Sequence, residues 1–416
     1  MVLNQLMSEP RKYLKSHPWL TFAHESITSS LTQGTWLKLG ECFSKCQHLL
    51  GAPISPGKAQ EISQIYMRRG AWATAQIEGN TLTESQLDGL LDNTAELPES
   101  QQYLEQEITN VLAALAKMEE DISKKKSTAN DPTENFRITP SWIKEVNAQL
   151  LEGLVLEDHV TPGEYRDVPV GVMRYPGAPS EDIEYLMDKF CTWINKLLDN
   201  ARENSETRDP IINFSTTFIV AVLSHLYFAW IHPFGDGNGR TARLVECAIL
   251  ANSEFVPWVS TNILSDYYNK TRSIYYQKLE AASVRSDVTG FVQYSVEGFR
   301  EQIKNQVARV QLFQRHIAWV SYIHESFPAS TSTEKSKRLK ELALNMSEEE
   351  PLAAKEMLTM NGFIKAIYIK HTPRTFKRDL DELVSMGLVE KVDPSRYRAK
   401  IQVMDGFKPL PELGSH

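Results

Sequence analysis

From residue 211 to residue 235 the chain carries no Asp, Glu, Lys or Arg, and no other stretch limits its fold as sharply. The strongly apolar part, residues 218–231, is shorter than the ~20 residues that cross a bilayer, and Ser224 and His225 interrupt it. A helix buried on all sides within a soluble domain is therefore expected, with no membrane association. Burying such a helix takes other helices, and the sequence offers them. Apolar residues recur at three- and four-residue spacing in residues 36–50, 62–77, 103–118 and 183–198. At 416 residues, 42% of them hydrophobic, the chain is long enough for two or three domains with cores of their own.

Local signals divide the chain. Thr83-Glu84-Ser85-Gln86 has capping-box form and should start a helix. Residues 120–135 are polar and read as a loop. Thr139-Pro140-Ser141 opens a helix through Leu151. In residues 161–179, Gly and Pro bracket runs rich in Val and Tyr, which favours a small β-hairpin or extended flap over a plain connecting loop. A hairpin alone is barely stable, so it should pack on the helices. Residues 302–327 read as a long helix and 328–351 as a hinge. Past the hinge, helices at 352–360 and 373–386, the second stopped by Gly387, precede strand-like runs at 388–392 and 397–403. That order outlines a winged helix. The expected fold is mainly α, a helical bundle with a hairpin flap, plus a C-terminal winged-helix (α+β) domain. The expected division is 1–130, 131–305, 306–350 and 351–407.

Charge and cysteine content narrow the functional classes. The net charge of −8 argues against nucleic-acid binding by the chain as a whole. Residues 363–400, however, hold nine Lys or Arg against five Asp or Glu, so DNA is a candidate partner for that end. Cys42, Cys46, Cys191 and Cys247 are too few and scattered for a disulfide scaffold. Reduced thiols and a cytoplasmic location are expected, and no signal peptide is read at the N-terminus.

The residues that carry chemistry follow the apolar segment directly: His232-Pro233-Phe234-Gly235-Asp236-Gly237-Asn238-Gly239-Arg240, then Thr241-Ala242-Arg243. Pro233 and the three glycines disfavour helix and permit a tight turn. Residues 244–250 are apolar and helical again, so a glycine-rich turn sits at a helix N-terminus, where free N–H groups suit phosphate. Arg240 and Arg243, three apart, share one face and can both reach phosphate oxygens. Asp236 offers a hard oxygen for Mg²⁺. His232 is the side chain there able to act as a general base near neutral pH. A structural loop with a core histidine is the competing reading.

This string resembles the signature of the Fic domain, His-Pro-Phe-x-(Asp/Glu)-Gly-Asn-Gly-Arg-x-x-Arg, at every defined position. The resemblance takes in the preceding helix, a Gly163-Glu164-Tyr165-Arg166 flap, Ser265-Asp266-Tyr267-Tyr268-Asn269, and Tyr275-Tyr276-x-x-Leu279, covering residues 141–299. It implies transfer of part of a nucleotide, most often AMP from ATP, to a Tyr, Ser or Thr hydroxyl of a target protein or of the chain itself. By this resemblance His232 deprotonates the hydroxyl and Asp236 holds Mg²⁺. Phe234, Gly237, Asn238, Gly239, Arg240 and Arg243 bind the nucleotide, with Asn269 at its base or ribose. The flap aligns the target as an added strand. Upstream, Thr74-Ala75-Gln76-Ile77-Glu78-Gly79 resembles the family's inhibitory motif, with Thr74, Glu78 and Gly79 at its defined positions and Glu78 directed at Arg243. Another nucleotide donor, removal of AMP, or a DNA-binding regulator with a secondary Fic site remain alternatives. A homodimer is a further expectation drawn from relatives.

Overall fold

The computed structural model describes residues 11–22, 24–91, 94, 96–128, 136–172, 175–203, 209–327 and 333–405. Its contacts divide into two compact units, residues 1–307 and 308–416. The first unit runs α1 (Tyr13–Ser16), α2 (Glu25–Ser30), α3 (Gln33–Leu50), α4 (Pro56–Ile77), α5 (Glu84–Leu91), α6 (Gln102–Thr128) and α7 (Pro140–Leu150). A two-stranded antiparallel hairpin follows, β1 (Gly171–Val172) with β2 (Tyr175–Pro176). Then come α8 (Ile183–Glu203), α9 (Pro210–Ile231), α10 (Asn238–Ala251), α11 (Ile263–Lys270), α12 (Arg272–Arg285) and α13 (Val288–Ser326), which ends in the second unit.

The charge-free segment is α9, and it forms the axis of the first unit. It is long and apolar enough to cross a membrane, yet most of it is buried within the unit. α3, α8 and α10 pack around it. Its two polar interruptions are satisfied internally. Ser224 Oγ donates to the Ala221 carbonyl at 2.7 Å. The His225 ring lies between Glu246 Oε2 at 3.1 Å and the Tyr275 hydroxyl at 2.9 Å. α4 packs on α6 and α11, and α10 also meets α6 and α7.

The start signals act as their chemistry requires. Thr83 Oγ1 accepts from Gln86 N while Gln86 Oε1 accepts from Thr83 N, a reciprocal cap on α5. Thr139 Oγ1 accepts from Trp142 N at the start of α7. Two sequence expectations are corrected. The loop expected at 120–135 is helix as far as Thr128, because Ile122 continues the buried stripe of Ile108, Leu115 and Met118; residues 129–135 lie outside the described ones. The hinge expected at 328–351 contains α14 (Glu334–Leu344), whose Leu339, Leu342 and Ala343 are buried; residues 328–332 are outside the described ones. The hairpin expected within 161–179 forms between Gly171–Val172 and Tyr175–Pro176.

The second unit continues with β3 (Leu352–Ala353), α15 (Ala354–Met360), α16 (Gly362–Tyr368), α17 (Pro373–Ser385), β4 (Val389–Lys391) and β5 (Arg396–Ala399). Its sheet is antiparallel in the order β3-β5-β4. Phe376, Leu380 and Leu383 of α17 pack with Met357, Ile364 and Tyr397 in a core of its own.

Candidate active site

The loop between α9 and α10 is shaped by hydrogen bonds it makes to itself. Asn238 Oδ1 accepts from Phe234 N at 3.0 Å and Asn238 Nδ2 donates to Phe234 O at 2.8 Å. Both polar ends of Asn238 are thus used inside the turn, and the residue is 4% exposed. Phe234 is buried, its ring 5.4 Å from Tyr165 and 6.3 Å from Phe228. These two side chains, expected at the nucleotide, also seat the loop on the core. Gly237 has φ +75°, and a Cβ there would lie 2.9 Å from Asn147 Nδ2. The Asp236 carboxylate accepts from Gly237 N and is half exposed.

Two residues outside the loop hold it. Asn147, fully buried on α7, donates to Asp236 O at 3.0 Å and Thr241 Oγ1 at 3.3 Å, and accepts from Gly163 N at 3.0 Å. Arg166, 4% exposed, donates to His232 O at 2.7 Å, Val168 O at 2.7 Å and Ala178 O at 2.6 Å. It thereby joins the end of α9, where it also reaches Ile231 O at 3.4 Å and a cation suits the helix dipole, to the segments on either side of the hairpin. Its neighbour Tyr165 bridges to Phe234. The Gly163–Arg166 segment is a brace beneath the loop, with the hairpin beside it.

His232 caps α9 with φ 48° and ψ 62°, a left-handed conformation that is uncommon outside glycine and unusual before a proline. The Arg166 bond to its carbonyl holds it there. The ring is half-buried, and Nδ1 has no hydrogen-bond partner among the described residues. Burial, and secondarily the charge of Arg166, lower its pKa to about 4. The imidazole is neutral at physiological pH.

Arg240 and Arg243 lie on one face of the first turns of α10, 5% and 1% exposed. Among the described residues, Nε and Nη1 of both have no hydrogen-bond partner. Arg240 Nη1 lies 3.9 Å from Glu107 Oε1, and the hydrogen-bonding capacity left on the two guanidinium groups beside the N-terminus of α10 is of the kind that suits an anion. Glu246, the nearest acid in sequence, does not serve Arg243. Its carboxylate turns to His225 and accepts from the Tyr268 hydroxyl at 3.0 Å.

Arg243 is met instead from α4. Its Nη2 donates to Thr74 O at 3.1 Å and to Glu78 Oε1 at 2.6 Å. The chain ends α4 there by a Schellman turn, in which Asn80 N donates to Ala75 O and Gly79 N to Gln76 O, with Gly79 at φ +111°. Tyr276 donates its hydroxyl to Ile77 O at 3.0 Å. Burial works to raise the Glu78 carboxyl, but the Arg243 guanidinium outweighs it and holds the acid below the usual range. A Cβ on Gly239 would come within 2.1 Å of Glu78 Oε1. The carboxylate therefore lies against the first turn of α10, on the anion site itself.

Asn269 is half-buried on α11 and makes no hydrogen bond to the loop among the described residues. Asn147, Arg166 and Tyr276 were not singled out individually from sequence. A buried-face polar residue between Ile143 and Leu150 is the signal that could have exposed Asn147. No group of three or more His, Cys, Asp or Glu able to hold a metal occurs among the described residues. All four cysteines are free and buried.

Comparison with known proteins places this geometry. Residues 137–250 match the Fic/DOC family. Protein adenylyltransferase fic-1 of Caenorhabditis briggsae is 28% identical over 239 residues, 57% of this chain and 41% of that one. Protein adenylyltransferase Fic of Nematostella vectensis is 28% identical over 221 residues, 52% of this chain and 43% of that one. The matches thus span less than half the length of these relatives. Among solved structures, a Fic family protein from Desulfovibrio desulfuricans superposes with TM-score 0.52 at 20% identity, covering 91% of this chain and 96% of that one. Residues 134–508 of Fic-1 from C. elegans superpose with TM-score 0.53 at 21% identity, covering 69% of this chain and 75% of that one. These likenesses establish the fold.

Proposed function

We propose, from the premise that this chain carries a Fic domain at residues 137–250, that it transfers AMP from ATP to hydroxyl side chains of proteins, itself included. The observation that carries this reading is the set of buried nitrogens of Arg240 and Arg243 that have no hydrogen-bond partner among the described residues, beside a neutral His232. Phosphate oxygens fit those nitrogens and the open N–H groups at the start of α10. Asp236, half exposed at the turn, would hold Mg²⁺, which would supply charge neutralisation at the phosphates.

The target hydroxyl approaches His232, whose neutral ring takes the proton. The oxygen attacks the α-phosphorus, the bond from that phosphorus to the bridging oxygen breaks, and pyrophosphate leaves. Arg240 and Arg243 stabilise the charge on the departing phosphates. The hairpin beside the loop presents a strand to which a target segment can add. Glu78 restrains the reaction by occupying Arg243. Intact mass spectrometry of the full chain with ATP and Mg²⁺ tests the reading. A gain of one AMP is expected, rising in Glu78→Gly and lost in His232→Ala, typically by about 10²–10⁴ in rate. Undiminished transfer by His232→Ala removes that residue from the mechanism.

A second activity is favoured by one observation in the second unit. Arg374 and Lys377 are exposed at the start of α17, and Lys391 and Arg396 on the following strands. This supports a winged helix that binds DNA through α17 and its ribbon. Gel shifts with the full chain should weaken with salt, the slope reporting the phosphates neutralised. Binding that ignores salt contradicts it.

A further inference from the structure

The turn that carries Glu78 is fastened to α6 by one buried amide. Asn80 is 4% exposed. Its Nδ2 donates to Leu104 O and to Glu107 Oε2, both at 2.8 Å, and its Oδ1 accepts from Leu82 N at 3.1 Å. The other oxygen of Glu107, Oε1, lies 3.9 Å from Arg240 Nη1. Arg240 thus faces two carboxylates, Glu107 and Asp236, the latter at 3.5 Å. Glu107 is the more buried of the two, with its side chain 20% exposed against 49%.

Resting on the reading of Glu78 as a restraint, we infer that Glu107 is a positioning residue that links the phosphate cradle to that restraint. Its Oε2 holds Asn80, and Asn80 holds the turn from which Glu78 reaches Arg243. Its Oε1 faces the guanidinium that the nucleotide needs. A phosphate arriving at Arg240 brings a like charge to Glu107, which loosens its hold on Asn80. The coupling is reciprocal, so a fastened Asn80 weakens phosphate binding at Arg240 by the same factor. Glu78 and Glu107 sit on different helices, and neither motif in the sequence joins them.

The test uses the full chain, with auto-modification at saturating ATP and Mg²⁺ read by intact mass, ATP affinity read by calorimetry, and folding checked by thermal melts. Asn80→Ala and Glu107→Ala should each raise the rate about 3–10-fold, the scale of a lost hydrogen bond. Glu107→Gln keeps an oxygen for Asn80, so its rate should return toward that of the unsubstituted chain. The same change removes the charge at Arg240, so ATP should bind about 3–10-fold more tightly. Neither Asn80→Ala nor Glu107→Ala should add to the rate of Glu78→Gly. Unaltered rates in both alanine variants, while Glu78→Gly accelerates, overturn the link and leave the restraint standing. Additive acceleration on the Glu78→Gly background also overturns it. Unaltered ATP affinity in Glu107→Gln overturns the charge half on its own. If Glu78→Gly does not accelerate, the restraint falls and the link falls with it.

Discussion

Replacing Glu78 by glycine removes the only carboxylate that hydrogen-bonds Arg243 among the described residues. The contact is 2.6 Å, the Arg243 side chain is fully buried and that of Glu78 is one-third exposed. At an effective dielectric of ~20, two unit charges ~3 Å apart attract by about 5 kcal/mol. Water at the Glu78 side screens part of this, and the dehydration of Arg243 opposes it further. A net of about 1–3 kcal/mol remains for the restrained arrangement. Freed of it, Arg243 is available to the terminal phosphate, and the rate should rise by about 5–150-fold. Auto-modification followed by intact mass at saturating ATP and Mg²⁺ reads this directly. Glu78→Gln should fall between Glu78→Gly and the unsubstituted chain, because its amide loses the charge but still lies over Gly239. Arg243→Ala should not accelerate, since it removes the phosphate ligand with the restraint. A Glu78→Gly rate equal to that of the unsubstituted chain refutes the reasoning.

Arg240→Ala should weaken ATP binding about tenfold or more by calorimetry, because two of its buried nitrogens make no hydrogen bond among the described residues and are proposed to meet phosphate. The acid limb of kcat/KM should lie near pH 4 rather than 6.5, because burial keeps the His232 base form populated down to about 4. By the same shift, unfolded chains bind a proton that folded ones refuse, so stability should decline as pH falls from 6.5 towards 4. A limb at 6.5 contradicts the assignment. Asn147→Ala should destabilise the chain by about 2–3 kcal/mol in denaturant titration, because it strands buried partners on both sides.

The parts of this architecture that read directly from sequence are those set by local chemistry. The charge-free run could only be a buried helix, Thr83 and Gln86 cap each other within four residues, and glycines at the turn permit its shape. Misreadings arose where polarity was equated with loop. Residues 120–128 and 334–344 are polar but rich in helix-favouring Glu and Lys, and Ile122 in the first and Leu339, Leu342 and Ala343 in the second are buried. Side-chain direction was not legible. Phe234 and Asn238 belong to a chemical motif, yet their side chains pack and hydrogen-bond within the loop and its core. Asn147 and Arg166 act on the loop across 89 and 66 residues, a pairing no local pattern encodes.

The self-bonded turn between Phe234 and Asn238 has a kinetic consequence. A loop already closed upon itself loses little conformational freedom when a nucleotide arrives, so association need not wait for ordering. The Glu78 side chain, held by a contact worth only about 1–3 kcal/mol, leaves Arg243 on the fast timescale of side-chain motion. Nucleotide capture should therefore appear as a single phase whose rate is proportional to concentration. The ion pair then acts through the fraction of molecules that hold it, not through its lifetime.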